Sequence, residues 1–201
     1  MTRGRVVGLV VVVVVLVVAF ALRPAGTAST ASPVTLTAAP TAGELTPLRA
    51  RAALTPCPAG LSAALPDLVL GCLGGGPAVH LRAAGSGVPT LVNVYGSWCG
   101  PCQDEMPVLA AFARASGGKV ALVGVDTEDD PRSALQFAAD VGQHWPAVVD
   151  DDKAVLRRYA AGPPVTLFLD AEGRVVHVKT GAFRSLADLR ALVSRELGVS
   201  V

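Results

Sequence analysis

The distribution of hydrophobic and polar positions divides the chain into successive parts, and the first part is almost wholly apolar. Val6 to Leu22 consists of Val, Leu, Ala and Phe apart from Gly8, and it follows Arg3 and Arg5. At a rise of about 1.5 Å per residue, a helix of this length spans roughly 25 Å, which suffices for a slightly thinned bilayer. The pattern predicts a transmembrane anchor within residues 1–23.

A cleaved signal peptide is the alternative for this segment. The small residues at positions 28–31 suit a cleavage site, but the apolar run is longer than the roughly 7–15 residues usual in a signal peptide. Either interpretation exports the rest of the chain, since arginines that precede an anchor stay on the cytoplasmic side. We therefore expect a single-pass protein of the cell membrane with an extracytoplasmic globular domain, in a compartment where disulfides persist.

The next part, residues 24–54, lacks hydrophobic periodicity. It is rich in Ala, Thr, Ser and Pro, with prolines at positions 24, 33, 40 and 47. This composition is typical of a linker, because it cannot bury enough apolar surface to fold. As a flexible coil it would reach on the order of 30 Å. A globular domain at residues 55–201 would then act on partners near the membrane surface.

Residues 55–201 alternate between short apolar runs and amphipathic stretches. Thr90 to Tyr95 (TLVNVY) is a compact, mainly apolar run, which is typical of a strand buried on both faces. The pattern predicts strands at Asp67–Leu73, Ala78–Leu81, Thr90–Tyr95, Lys119–Asp126, Ala147–Val149, Val165–Asp170 and Arg174–Lys179, and helices at Gly100–Ala115, Pro131–Val141, Asp152–Tyr159 and Ser185–Leu197. A β-α-β unit followed by a hairpin and a helix predicts an α/β domain with a central mixed sheet flanked by helices.

Charge argues against one broad class of partner. The 201 residues carry a formal net charge of +1 and contain no run of Lys or Arg. A nucleic-acid-binding protein usually presents a basic patch or stripe. We therefore expect no nucleic-acid partner.

The clearest chemical motif is a pair of cysteines, Cys99 and Cys102, between a predicted buried strand and a predicted helix. Unpaired N–H groups and the positive end of the helix dipole at such a junction stabilise a thiolate on the first cysteine. Lowering a thiol pKa from about 8.5 to about 7 raises the thiolate fraction at neutral pH to about half. We expect Cys99 to be the attacking thiol and Cys102, one turn further, to resolve the intermediate.

A zinc site is the alternative for this motif. Zinc needs two further Cys or His ligands at short spacing, whereas His80, His144 and His177 lie singly along the chain. No histidine follows Cys102 directly, which removes the motif for covalent haem attachment. We expect neither a metal nor a cofactor.

The segment around this pair resembles the active site of the thioredoxin superfamily. Val92 to Pro107, VNVYGSWCGPCQDEMP, is most similar to the membrane-anchored TlpA/ResA/CcmG branch, and the resemblance extends over roughly residues 65–197. It implies a thioredoxin-like fold, with Trp98 as the aromatic neighbour of the pair and Pro107 as a proline that kinks the helix.

The same resemblance implies a cis-proline opposite the cysteines. Pro164, preceded by Pro163, falls at that position. A cis X–Pro bond exposes backbone polar groups with which an extended substrate pairs, so both prolines and Trp98 are candidate substrate-binding residues. The Pro doublet leaves open which bond is cis, although alignment with the following strand favours Pro164. An ordinary trans turn is the alternative.

Two departures from plain thioredoxin concern proton transfer. Thioredoxin carries a buried Asp where this chain has Asn93, and an amide cannot serve as a general base. Glu105 matches an acidic residue of the ResA-like branch and lies nearly one helical turn beyond Cys102, where it could exchange protons with either sulfur. The alternative is a solvated carboxylate on the helix surface, as we expect for Asp104.

The remaining cysteines, Cys57 and Cys72, enclose a loop of about fifteen residues. In an oxidising compartment a structural disulfide is the expected state, with a stabilisation of roughly 3 kcal/mol on the loop-entropy model. A second redox relay and intermolecular pairing are the alternatives. The resemblance does not decide between them, because plain thioredoxin lacks this pair.

The resemblance implies an extracytoplasmic thiol–disulfide oxidoreductase. Its partners would be thiols or disulfides of exported proteins, with apocytochrome c thiols as one client, and a membrane electron donor or acceptor. A disulfide-forming oxidase and a non-catalytic binding module on the same fold are the alternative functions.

Overall fold

The structure is a computed structural model that describes residues 40–83, 85 and 87–201. The predicted anchor and the first part of the predicted linker lie outside these residues. Within the described part, no helix is long and apolar enough to cross a bilayer. The elements are helices α1 (Ala42–Ala52), α2 (Gly100–Ser116), α3 (Pro131–Val141), α4 (Ala154–Tyr159) and α5 (Leu186–Leu197), and strands β1 (Val69–Cys72), β2 (Val79–His80), β3 (Thr90–Tyr95), β4 (Ala121–Thr127), β5 (Ala147–Asp150), β6 (Val165–Leu169) and β7 (Val175–Thr180).

The strands form one mixed sheet in the order β2-β1-β5-β4-β3-β6-β7. Strand β4 runs parallel to both β3 and β5, and every other pairing is antiparallel. The predicted α/β class with a mixed sheet is therefore confirmed. Because β3 and β4 are parallel, their carboxyl ends meet at one edge of the sheet, where Tyr95 lies opposite Asp126.

Alternate residues of β3 enter different core layers, as the two-residue repeat of a strand requires. Leu91 and Tyr95 pack with α2 and α5 on one face of the sheet. Val92 and Val94 pack with α4 on the other. The central strand β3 is thus covered on both faces. The turn that follows it and the start of α2 therefore lie at a defined edge of the sheet.

The prediction of a linker over residues 24–54 is wrong for residues 42–52, which form α1. Thr41 and Glu44 close a capping box at its start. Leu45 and Ala52 are buried in a cluster that also contains residues of α3. The composition of this segment indicated a linker because it offers too little apolar surface to form a core of its own. In the fold, α1 packs against α3, which lies far along the chain.

Candidate active site

The two sulfurs of Cys99 and Cys102 are joined in a disulfide where β3 gives way to α2. Cys99 is the N-cap residue of α2, and its Sγ accepts a hydrogen bond from the Cys102 backbone N–H at 3.2 Å. Pro101 occupies the first turn, where a missing N–H has no cost. The sequence folds this way locally because the strand ends at Tyr95 and a proline in the first turn starts the helix.

The environment of the pair favours a thiolate on Cys99. A helix N-terminus carries unpaired N–H groups and a positive partial charge, and one of those N–H groups already points at Cys99 Sγ. Cys102 is fully buried, whereas Cys99 retains 5% exposure. An incoming sulfur therefore reaches Cys99 first, and the two cysteines are suited to different roles.

The turn between β3 and Cys99 is fixed by contacts with the loop that follows β4. Both the backbone N–H and the hydroxyl of Ser97 donate to the carboxylate of Asp129. The Trp98 indole N–H donates to the carbonyl oxygen of Thr127 at 3.1 Å. A Cβ at Gly96 would lie 2.5 Å from the Trp98 indole nitrogen, so a larger residue here would force the Trp98 ring to shift. Trp98 remains 52% exposed beside the cysteines.

The peptide bond between Pro163 and Pro164 is cis. It directly precedes β6, which pairs with β3 so that Val165 lies opposite Val94. The proline pair therefore lies at the same sheet edge as the cysteine turn. The carbonyl oxygen of Pro164 accepts a hydrogen bond from Gly181 N–H at 2.9 Å, which joins this turn to the end of β7.

Glu105 is fully buried on α2, so the alternative of a solvated surface carboxylate is wrong. Its Oε1 accepts from the Asn93 side-chain amide at 2.8 Å, and its Oε2 accepts from Phe183 N–H at 3.1 Å. Burial raises the pKa of Glu105, and the hydrogen bonds from Asn93 and Phe183 oppose that shift. The amide that replaces the thioredoxin aspartate is therefore the direct partner of this acid. Asp104, in contrast, is exposed.

A polar groove borders α2 on the side of β7. Residues from both elements line it: Pro101, Asp104, Lys179, Gly181, Phe183 and Arg184. The Lys179 ammonium lies 4.6 Å from the centre of the Phe183 ring and donates to carbonyl oxygens of residues 180–182. Sequence reasoning missed this groove, because no local signal predicts that the end of β7 meets the start of α2.

Sequence reasoning also missed the acids at the carboxyl end of β4 and in the loop after it. Asp126 and Asp129 end an apolar strand and begin a polar loop, a pattern that normally indicates solvated residues. Their place at the active-site edge follows from the parallel pairing of β3 and β4. The only usable signal was the rule that the carboxyl ends of parallel strands carry functional side chains.

The second disulfide joins Cys57 to Cys72, with a Cα–Cα distance of 6.0 Å. Cys72 lies on β1, opposite Val148 of β5. Strands β5 and β4 separate β1 from β3 in the sheet. This bond therefore connects the segment before β1 to β1 itself, on a different strand from the one that leads to Cys99.

Comparison with known proteins identifies relatives over most of the described region. The family model Redoxin matches residues 60–193. Thiol:disulfide interchange protein CycY of Rhizobium leguminosarum bv. viciae is 33% identical over 113 residues, which are 55% of this chain and 60% of that protein. Thiol-disulfide oxidoreductase ResA of Bacillus subtilis (strain 168) is 34% identical over 99 residues, 48% of this chain and 54% of that one. The chain thus spans less than two thirds of the length of these two relatives.

Solved structures support the same fold. A secreted disulfide oxidoreductase of Mycobacterium tuberculosis superposes with a TM-score of 0.55 at 24% identity, covering 64% of this chain and 96% of that one. A thioredoxin-like protein of Porphyromonas gingivalis superposes with a TM-score of 0.57 at 20% identity, covering 69% and 94%. These likenesses confirm the predicted thioredoxin-like fold.

Proposed function

The chain belongs to the Redoxin family, and on that basis we propose that it is a protein thiol–disulfide oxidoreductase whose redox pair is Cys99 and Cys102. The observation that carries the proposal is the placement of their disulfide at the N-terminus of α2, with the Cys102 N–H directed at Cys99 Sγ. A thiolate at that position is stabilised, and it is also a good leaving group. Exchange is therefore fast in both directions.

The reaction begins with the reduced pair. The Cys99 thiolate attacks one sulfur of a client disulfide, an S–S bond forms between Cys99 and the client, and the second client sulfur leaves as a thiolate. Cys102 then loses its proton and attacks Cys99 Sγ, which releases the first client sulfur. The client has gained two electrons and, after protonation, two protons. The enzyme is left with the disulfide that the structure shows.

The client is proposed to bind in extended form across Trp98 and the Pro163–Pro164 turn. The half-exposed Trp98 ring offers an apolar contact that is held in place by its bond to Thr127. The turn at Pro163 and Pro164 lies at the same edge. Prolines have no N–H and the Pro164 carbonyl already accepts from Gly181, so the Pro163 carbonyl is the backbone group proposed to pair with an incoming strand. An extended segment lying between them would place its sulfur over Cys99.

Glu105 is proposed to exchange protons with the pair. Its raised pKa, caused by burial, supports a carboxyl that holds a proton nearer to neutral pH than an exposed glutamate does. Its hydrogen bonds to Asn93 and Phe183 fix its orientation. Proton transfer to Cys102 through water would then accompany each exchange.

We propose a membrane-anchored, extracytoplasmic setting in which the pair acts as a reductant. The apolar run at residues 6–22 behind two arginines supports the anchor. The names of the relatives, a thiol:disulfide interchange protein and a thiol-disulfide oxidoreductase, support exchange with protein partners. Thiols of exported proteins, including apocytochrome c awaiting haem, are the proposed clients, and a membrane protein is the proposed electron donor. The second disulfide, Cys57–Cys72, is proposed to be structural.

A trapping experiment tests this function. Cys102→Ser removes the resolving thiol, so we expect clients to accumulate on Cys99 as mixed disulfides that non-reducing electrophoresis separates and mass spectrometry identifies. The matched control, Cys99→Ser, should trap nothing. Equal cellular activity of the Cys99→Ser and wild-type proteins would contradict the proposal and favour a non-catalytic binding module.

A further inference from the structure

Asp126 is a buried acid beneath the turn that carries Cys99. It ends the apolar part of β4 opposite Tyr95 of β3, and its side chain is fully buried. Neither of its carboxylate oxygens receives a hydrogen bond from any donor in the described part of the chain. A buried carboxylate without a donor or a counter-ion is strongly disfavoured, so the geometry calls for a neutral acid at this position.

The charged groups that act on Asp126 are acids. Asp129, in the loop after β4, interacts with it through its side chain and its charge, and the charge of Asp151, in the turn after β5, acts in the same direction. The Tyr95 hydroxyl of β3 is buried as well, the charge of Asp126 acts on it, and it has no hydrogen-bond partner in the described part of the chain. Burial, followed by the charge of Asp129, raises the pKa of Asp126 to about 9. At neutral pH Asp126 therefore retains its proton.

Residues 126–129 form a support that we call the β4 shelf. Asp129 accepts both Ser97 donors, with the hydroxyl at 2.9 Å, and the Thr127 carbonyl accepts the Trp98 indole N–H. Both contacts lie just before Cys99 in the chain. The position of the attacking sulfur thus depends on the position of Asp129.

We propose that Asp126 is a positioning residue for the redox pair: as a neutral acid it donates its proton to a carboxylate oxygen of Asp129, and Asp129 in turn holds the Ser97–Trp98 turn. This inference rests on the proposed function, because the position of Cys99 affects the reaction only if Cys99 is the attacking thiol. When Asp126 ionises, its carboxylate and that of Asp129 repel each other. Asp129 then shifts, and its hydrogen bonds with Ser97 weaken.

The protonation state of Asp126 is tested first, in the oxidised protein, where neither cysteine pair titrates. With ¹³C-labelled aspartate, one carboxyl resonance should titrate far above the ordinary range for aspartate, which is centred near about 3.9. Asp126→Asn should remove that transition, and Asp67→Asn, an exposed control on the segment before β1, should leave it in place. Ordinary titration of every aspartate carboxyl would overturn the proposal.

The consequence is tested by the rate at which dithiothreitol reduces Cys99–Cys102 across about pH 6 to 10, after correction for the thiolate fraction of the reagent. The corrected wild-type rate should fall by about threefold or more as Asp126 ionises, the loss of roughly one hydrogen bond. Asp126→Asn keeps a donor toward Asp129 without ionising, so its rate should match the neutral-pH wild type throughout. Asp126→Val, which has no donor, should be slow at every pH.

The outcomes separate the two proposals. A wild-type disulfide that dithiothreitol does not reduce would count against the proposed function. A wild-type disulfide that is reduced, with Asp126→Asn showing the same alkaline fall, would overturn the role of Asp126 alone. The comparison of wild type with Asp126→Asn decides this even when the valine variant does not fold.

Discussion

The two disulfides of this protein lie in different chemical surroundings. Cys57 is partly exposed and Cys72 is 7% exposed, whereas Cys99 is 5% exposed and Cys102 is fully buried, so accessibility alone would favour Cys57–Cys72 as the reactive bond. Cys72 lies within β1, and its neighbours Gly71 and Leu73 are hydrogen-bonded into the sheet around β5. Cys99 caps a helix whose first N–H groups have no helical partners.

The comparison shows that the two disulfides differ in their backbone surroundings, and the proposed function assigns reactivity on that difference. Cys72 lies within β1, so a thiolate there would not lie at the positive end of a helix dipole. A thiolate on Cys99 accepts the Cys102 N–H and lies at the positive end of α2. Sequence separation also differs: 15 residues for Cys57–Cys72 and 3 for Cys99–Cys102, so only the former closes a long loop and restricts the unfolded chain.

The largest effect should come from removing the attacking sulfur. Cys99→Ser should abolish reduction of a protein disulfide such as that of insulin, because Cys102, the other thiol in the first turn of α2, is fully buried and cannot be reached by a client. A variant with both Cys57→Ser and Cys72→Ser should keep the wild-type rate at a temperature where it is folded. Loss of activity in this double variant alone would reverse the assignment of the two bonds.

The second largest effect concerns stability. The Cys57→Ser, Cys72→Ser variant should lose about 3 kcal/mol of unfolding free energy, since the bond closes a loop of about fifteen residues in the unfolded chain. Guanidinium unfolding followed by circular dichroism measures this loss. The Cys99–Cys102 bond closes only a very short loop, so its loss in Cys99→Ser should change stability much less. Equal destabilisation of both variants would contradict a structural role specific to Cys57–Cys72.

These contrasts show what the amino-acid pattern could predict. Strand β3 and helix α3 have the predicted bounds, because an apolar run and a proline in the first helical turn mark them locally. Helix α1 was missed because its buried face depends on α3. The cysteine motif was visible in the sequence, whereas the burial of Glu105 and Asp126 depends on elements that meet only in the fold. Long-range pairing, which local patterns do not encode, accounts for these differences.

A several-fold effect is expected from Glu105→Gln, which preserves size and one acceptor but removes the exchangeable proton. The rate of insulin reduction near neutral pH should fall by roughly tenfold, which is below the usual general acid–base range of about 10²–10⁴-fold because Glu105 is proposed to act through water. Asp104→Gln, at the exposed neighbouring position, is the matched control and should retain most of the rate. An unchanged rate in Glu105→Gln would leave Glu105 with a packing role only.

The pH dependence of stability gives a second measurement on Glu105. Its folded pKa is raised above the unfolded value, so its favourable contribution is complete below the unfolded pKa and is lost as pH rises through the folded pKa. Relative to wild type, Glu105→Gln should therefore become more stable as pH increases across that interval. A parallel pH dependence of the two proteins would contradict the raised pKa.

The smallest effect should follow from Gly96→Ala. The added Cβ would come within 2.5 Å of the Trp98 indole nitrogen and displace the ring from Thr127. We expect KM for a protein client to rise by about threefold, comparable to one hydrogen bond, while the rate with a small disulfide changes less. Gly100→Ala is the control, since nothing lies within 4 Å of a Cβ there. Equal behaviour of the two variants would argue against client contact with Trp98.

The most direct test of the central claim is an equilibrium redox titration of the folded protein in which each cysteine pair is quantified by alkylation and mass spectrometry. The account predicts that Cys99–Cys102 is reduced alone, as a two-electron couple near the roughly −270 mV of thioredoxin, while Cys57–Cys72 stays oxidised to below about −300 mV. A Cys99–Cys102 potential near about −120 mV would identify an oxidase instead. Reduction of both pairs together, or of Cys57–Cys72 first, would contradict the claim that the helix terminus makes one of the two disulfides the reactive one.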